Sequence, residues 1–220
     1  MPRFKSIIEN EKYGVGCTGQ TVWVWDKNDT VIAKFKDLIY AYRAAFSPRG
    51  DIFVVKSTEA WLAVYSLETM SLIKKFRFSK AHYAQDDSFC FSLDGKYLLN
   101  VERYGDDLHS AIAVYNTSDF SLSSRLIVDE CMRLYHIQQV GGEYYLFGFM
   151  RGSDMVISCG FVAKYRNKQI CDVMKITEAE REFYNEHLDQ TMFGLWLDDG
   201  QKIKNVHTLA DLWGYYNQKQ

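Results

Sequence analysis

The chain has 220 residues, 47% hydrophobic and 25% charged, which excludes a disordered tail, a collagen-like fibre and a simple coiled coil. Its 26 Lys and Arg against 28 Asp and Glu leave a formal charge of −2, so it carries no electrostatic footprint for nucleic acid or an anionic membrane. A chain of this length buries roughly 70% of its unfolded surface, enough for a core without metals or disulfides.

In chain order, Met1-Pro2-Arg3-Phe4-Lys5 is followed by Ile7-Ile8 and Glu9-Asn10-Glu11-Lys12. No apolar h-region forms there, which predicts no secretory signal. No later stretch reaches the roughly 18 apolar residues of a membrane span. The segment Phe4–Asn10 is a first short strand. Gly14-Val15-Gly16-Cys17-Thr18-Gly19 has Gly-x-Gly-x-x-Gly spacing, but the strand Thr21–Asp26 follows where a dinucleotide fold needs a helix. It reads as a glycine-rich hairpin.

From there the chain repeats itself. Phe46-Ser47-Pro48-Arg49-Gly50-Asp51 and Phe91-Ser92-Leu93-Asp94-Gly95-Lys96 each read as strand, tight turn and strand, 45 residues apart, with a weaker copy at Gly141-Gly142. The glycine supplies the positive φ that such a turn needs. A second unit ends in Trp25-Asp26, Tyr65-Ser66, Tyr115-Asn116 and Tyr165-Arg166, the aromatics spaced by 40, 50 and 50 residues. After each comes a polar turn and another apolar run, at Val31–Phe35, Leu72–Phe76, Leu126–Val128 and Ile170–Met174. The aromatic recurrence argues for packing between units. Each unit therefore holds about four short strands, and stacking such sheets radially is how they bury their faces.

These residues resemble the WD-repeat β-propellers. Trp25-Asp26 is the dipeptide that names the family, and Phe46-Ser-Pro-Arg-Gly and Phe91-Ser-Leu-Asp-Gly resemble its Phe-Ser-Pro-Asp-Gly turn. The resemblance covers residues 4 to 176. It lacks the family's usual Gly-His pair, and 220 residues hold about five blades at most, so the seven-bladed ring is excluded. The expected fold is mainly all-β: a small propeller of about four to five four-stranded antiparallel blades over residues 1–176. Residues 177–220 form a divergent fifth blade or a helical cap in the same domain. In that tail, Thr177–Glu180 and Thr208–Asp211 are capping-box patterns that predict helices over Glu178–Leu188 and through Trp213 and Tyr216. Met192–Leu197 is a further candidate strand.

Catalytic spacing is not found. His82, His109, His136, His187 and His207 are scattered, and Cys17, Cys90, Cys131, Cys159 and Cys171 show no Cys-x-x-Cys pair. Cys90, Cys159 and Cys171 read as core thiols in a reducing cytoplasm. The acid pairs Asp86-Asp87, Asp106-Asp107 and Asp198-Asp199 lack calcium-loop spacing and read as solvated loop charge. No cofactor and no metal is expected. Propeller function belongs to loops, and aromatic and arginine side chains there anchor interfaces. Tyr42, Arg43, Tyr83, Arg103, Tyr104 and Arg133 are the candidate partner-binding residues. The expected role is a non-catalytic scaffold that binds another protein. The alternatives are a hydrolase or lyase with a central-channel site, and a partial propeller completed by self-association. Neither nucleic acid nor membrane is an expected partner.

Overall fold

The computed structural model describes residues 2–78, 88–105, 109–152, 157–176 and 208–218. The expected strand at Met192–Leu197, the expected helix at Glu178–Leu188 and the three acid pairs lie outside them.

Four four-stranded antiparallel sheets follow one another, each with its strands in chain order. The first holds β1 (Ser6–Glu9), β2 (Tyr13–Cys17), β3 (Val22–Asp26) and β4 (Val31–Phe35). The second holds β5 (Ala41–Phe46), β6 (Ile52–Ser57), β7 (Trp61–Ser66) and β8 (Ser71–Arg77). The third holds β9 (Phe89–Phe91), β10 (Tyr97–Tyr104), β11 (His109–Asn116) and β12 (Leu122–Ile127). The fourth holds β13 (Met132–Val140), β14 (Glu143–Arg151), β15 (Ile157–Arg166) and β16 (Gln169–Lys175). The repeat read from the sequence is thus one sheet per repeat.

The turns follow their chemistry. Gly50 and Gly95 have φ of 70° and 68°. In the second copy the Ser92 hydroxyl donates to Asp94 at 2.7 Å, and the Lys96 amide donates to the same carboxylate oxygen. These donors hold the Asp94 carboxyl down at about 2. Gly141 and Gly142 are both at positive φ in a two-residue hairpin between Val140 and Glu143, the pattern of a type I′ turn. The pairing of third and fourth strands slips in register at Val24/Trp25, Val64/Tyr65 and Val114/Tyr115, so the recurrent aromatic sits at the same irregularity in three sheets.

The sheets pack face to face in sequence. Val15, Cys17 and Val24 of the first meet Phe53, Val55 and Tyr65 of the second. Val54, Leu62 and Val64 then meet Leu98, Ala113 and Tyr115 of the third. Leu99, Val101 and Ile112 meet Leu134, Phe161 and Tyr165 of the fourth. Covered on both faces, β6 is buried along its whole length, whereas the outer strand β8 is almost wholly exposed. Each of Tyr65, Tyr115 and Tyr165 lies in the layer between its own sheet and the preceding one. Trp25 holds the same place in the first sheet, and Phe4 covers it at 5.5 Å.

The glycine-rich run has a packing cause. Gly14 and Gly16 lie in β2; a Cβ on Gly14 would stand 2.1 Å from the Trp25 indole, and one on Gly16 2.5 Å from the Phe4 ring. Only glycine admits these rings.

Among the described residues, no strand of the fourth sheet pairs with the first. Helix α1 (Leu209–Asn217) lies over the outer face of the fourth sheet. Leu209, Leu212 and Tyr216 pack there against Tyr145, Phe147, Phe149, Val162 and Met174. The capping box at Thr208 and Asp211 is formed in both directions. Trp213 anchors the helix further, its indole N–H donating to the Asp172 carbonyl at 2.9 Å. No helix among the described residues is long and apolar enough to cross a membrane.

Candidate functional site: one rim and the inner edge of the sheets

The first strand of each sheet lies on the inner edge. Ladder register puts the start of β5 beside the end of β6, and the end of β10 beside the start of β11. Cross-links between sheets then gather these ends on one rim. The Ala41 amide donates to Gly19 O at 2.8 Å, the Ser88 amide to Tyr135 O at 2.7 Å, and Arg103 reaches Leu134 O at 3.0 Å.

Five of the six expected contact residues are on this rim, and Tyr83 lies outside the described residues. Tyr42 and Arg43 are half-buried at the start of β5, and Arg133 is half-buried at the start of β13. Tyr104 is exposed, with the Arg125 guanidinium 4.8 Å from its ring centre. Arg103 corrects the expectation of a surface contact. It is 1% exposed, its guanidinium donates to Ser110 and Leu134 and lies 5.5 Å from the Tyr135 ring, so it ties the third sheet to the fourth. Its strand, β10, is a middle strand covered from both sides.

The rim has a feature that the sequence reading missed. Between β4 and β5, Leu38 is buried while Ile39 and Tyr40 are 64% and 51% exposed. The backbone beneath them is pinned. Ser57 donates its hydroxyl to Ile39 O, the Thr58 amide donates to Tyr40 O at 3.2 Å, and Lys75 donates to Asp37 O at 2.6 Å. Tyr40 has a φ of 56°, a left-handed conformation that is uncommon for any residue with a Cβ and costs on the order of 1 kcal/mol or more. The fold therefore holds two large apolar side chains out in water on a strained, fixed loop.

Behind the rim lies a buried polar layer. Lys56 is fully buried, donating to Asn100 Oδ1 at 2.7 Å and to Val101 O at 2.6 Å. Asn100 donates in turn to Glu102 Oε2 at 3.2 Å. Tyr115 donates to the same oxygen at 3.0 Å, and Arg125 pairs with Oε1 at 2.7 Å. Burial pushes the Glu102 carboxyl upward, against the pull of Arg125. Further along the edge, the Arg43 guanidinium lies 3.4 Å from His136 Nδ1, joining positions 93 residues apart. His136 is 3% exposed. Burial, then the charges of Arg43 and Lys56, drive its pKa well below the ordinary 6.5.

The signal for this layer was present in the sequence. Lys56 ends the apolar run Ile52–Val55, and Asn100 and Glu102 alternate with Leu99, Val101 and Arg103 in a strand that reads as buried. Polar groups at such positions are partnered when buried.

The depressed pKa has a testable consequence. The unfolded chain takes up a proton at His136 as pH falls through 6.5, while the folded chain resists it. That part of the stability is present above pH 6.5 and lost on acidification, at up to about 1.4 kcal/mol per pH unit. Glu102, with its carboxyl pushed up, works in the opposite direction. The comparison that isolates the histidine is therefore wild type against His136→Asn. The difference in unfolding free energy between them is expected to shrink from pH 7 to pH 5; a pH-independent difference would contradict the assignment.

The thiols are also placed. Cys17 is buried, and burial raises its pKa to about 11. Cys90, Cys159 and Cys171 are half-buried, Cys90 packing against the core layer between the third and fourth sheets, and Cys131 is exposed. Among the described residues no His, Cys, Asp and Glu group is arranged to hold a metal ion.

No protein-family model matches the chain, and no curated protein is significantly similar to it. Solved structures are. Hydrazine synthase of Kuenenia stuttgartiensis matches with a TM-score of 0.60 and 11% identity, over 77% of this chain and 52% of that one. The WD40 domain of Toxoplasma gondii coronin matches with a TM-score of 0.57 and 14% identity, over 76% of this chain and 43% of that one. The WD40 β-propeller domain of Doa1 matches with a TM-score of 0.50 and 13% identity, over 72% of this chain and 49% of that one. The chain spans about half the length of these matched chains or less. At these identities the likeness establishes the fold, and the fold is that of consecutive β-propeller blades, shared by WD40 domains and by a synthase.

Proposed function

We propose that this chain is a protein-interaction module whose binding surface is the rim carrying Ile39, Tyr40, Tyr42, Tyr104 and Arg133. The observation that carries this reading is the exposed pair Ile39–Tyr40 on its pinned loop. Exposed apolar side chains on a rigid, strained backbone lose little conformational freedom on binding, which is what an interface anchor requires. Tyr104 and Arg133 extend the same rim with residue types enriched at interface centres. The partner is a folded or extended protein segment with an apolar patch to receive Ile39 and Tyr40.

At the inner edge, His136 is not placed to act as a general base. A guanidinium has donors only, so His136 Nδ1 accepts from Arg43. A histidine whose acceptor nitrogen is occupied and whose charging is resisted by two cations is not a general base. Self-completion of a ring through the fourth sheet is disfavoured too, since a second copy would have to displace α1 from the apolar face that it covers.

The test is alanine substitution. Against a partner purified from the source cell, Tyr40→Ala is expected to weaken binding by about 30-fold or more, the loss of an anchor worth about 2 kcal/mol. Lys96→Ala, on the opposite rim, is expected to leave the affinity within about twofold. Equal effects from the two substitutions would contradict the proposed surface.

A further inference from the structure

We propose that the outer face of the first sheet, the face turned away from the second, is the interface of a two-fold dimer, and that its partner is the same face of a second copy of this chain. This surface is distinct from the rim anchor and does not rest on the interaction reading.

The repeat supplies the first argument. Ladder register places Ile7, Gly16, Trp23 and Lys34 opposite one another across the four strands, and Glu9, Gly14, Trp25 and Val31 in the next row. Their neighbours Ile8, Val15, Val24 and Ala33 point the other way, into the layer shared with the second sheet. Side chains alternate along a strand, so both rows lie on the outer face. Trp25 stands there where Tyr65, Tyr115 and Tyr165 stand in the later sheets. Those three are 0%, 5% and 6% exposed beneath the preceding sheet. Trp23 and Trp25 are only half-buried, and Ile7 and Val31 are exposed. Among the described residues no other sheet packs over them. Gly14 and Gly16 let the Trp25 and Phe4 rings lie directly over the backbone, which keeps the face shallow enough for a second sheet to settle on it.

Two observations identify the occupant. Helix α1 already covers the outer face of the fourth sheet, so a head-to-tail contact finds no apolar face to receive this one. A face that meets its own copy makes an isologous contact, which closes at two. The charges fit that symmetry. Glu9 lies on the inner strand β1 and Lys34 on the outer strand β4, at opposite corners of the face. Lys34 Nζ is 3.9 Å from the centre of the Trp23 ring, which holds its charge on this side of the sheet. One two-fold axis in the plane of the interface, set across the line joining Glu9 and Lys34, puts each copy's Glu9 opposite the other's Lys34. Four strands of about five residues give a face of roughly 300 Å². That is less than the roughly 800 Å² per partner of a standard interface, so the dimer is a weak one that forms with concentration.

The test is sedimentation velocity with light scattering on the full chain, from about 1 µM to about 1 mM, the range in which a weak interface fills. The expected mass rises from the 25.6 kDa of one chain to twice that value and stops there. Ile7→Asp, at an exposed position, is expected to weaken the dimer by about tenfold or more, while Ile73→Asp, exposed on β8, leaves it within about twofold. Glu9→Lys sets two lysines against each other twice over and is expected to weaken the dimer by about tenfold, and the double variant Glu9→Lys/Lys34→Glu to return it to within about threefold of wild type. A single-chain mass at every concentration overturns the proposal, whether the face is then bare, covered by another segment of the chain or reserved for a different protein. Growth beyond two copies, a dimer that Ile7→Asp leaves intact, or a charge swap that does not restore association overturns it as well.

Discussion

Glu102→Leu is expected to destabilise the protein by about 3–5 kcal/mol, the cost of leaving buried charge without its partner. For a chain of this size that lowers the melting temperature by roughly 6–20 °C. The reasoning rests on what would remain. Lys56 and Asn100 would keep each other, but Arg125 would lose its 2.7 Å carboxylate and Tyr115 its 3.0 Å acceptor. The side chain is fully buried, so water does not replace the lost oxygens. Glu102→Gln keeps the volume and one carbonyl oxygen, and is expected to cost less. The upward push on the Glu102 carboxyl shows that burial penalises the charge, and that sharpens the experiment. If Glu102→Leu proves neutral or stabilising in thermal and urea unfolding, the desolvation penalty outweighs the pairing, and the Glu102 network does not stabilise the third sheet.

The second large effect concerns the helix on the fourth sheet. Leu212→Ala is expected to cost about 2–5 kcal/mol, the range for truncating a buried leucine. Leu212 is 1% exposed and sits among Leu209, Tyr216 and the side chains of the fourth sheet. A nine-residue helix has little stability of its own. Losing its central contact frees it from Tyr145, Phe147 and Met174, an apolar face that invites association. Thr208→Ala removes the cap instead and is expected to cost about 1 kcal/mol. The order of the two separates packing from capping. Comparable small losses for both would mean that α1 does not hold the face closed.

Much of this architecture is legible in the sequence. The glycine turns after Ser47 and Ser92, and the aromatics at 25, 65, 115 and 165, marked one sheet per repeat. Those signals are local: a positive φ and a strand end are decided by neighbours in the chain. The capping box at Thr208 was readable for the same reason. The site was less legible because its geometry is non-local. Arg43 and His136 are 93 positions apart, and only the stacking of sheets brings them together. Arg103 read as a surface arginine because its sequence position beside Tyr104 and Gly105 suggests a loop. The strand continues through it, and neighbouring sheets cover it. Tyr40 was missed because nothing in Leu38-Ile39-Tyr40-Ala41 announces a left-handed tyrosine. That conformation is imposed by the bonds that Thr58 and Ser57 make to the loop.

The claim that this rim binds protein is tested most directly by site-specific photo-crosslinking in the source cell. A photoreactive phenylalanine analogue is placed at Tyr40 on the rim, or at Tyr97, which is also exposed but starts β10 at the opposite rim. The interaction reading predicts a discrete protein adduct from position 40 and none from position 97, with both variants folded. Adducts of equal yield from the two positions, or none from position 40, would contradict it.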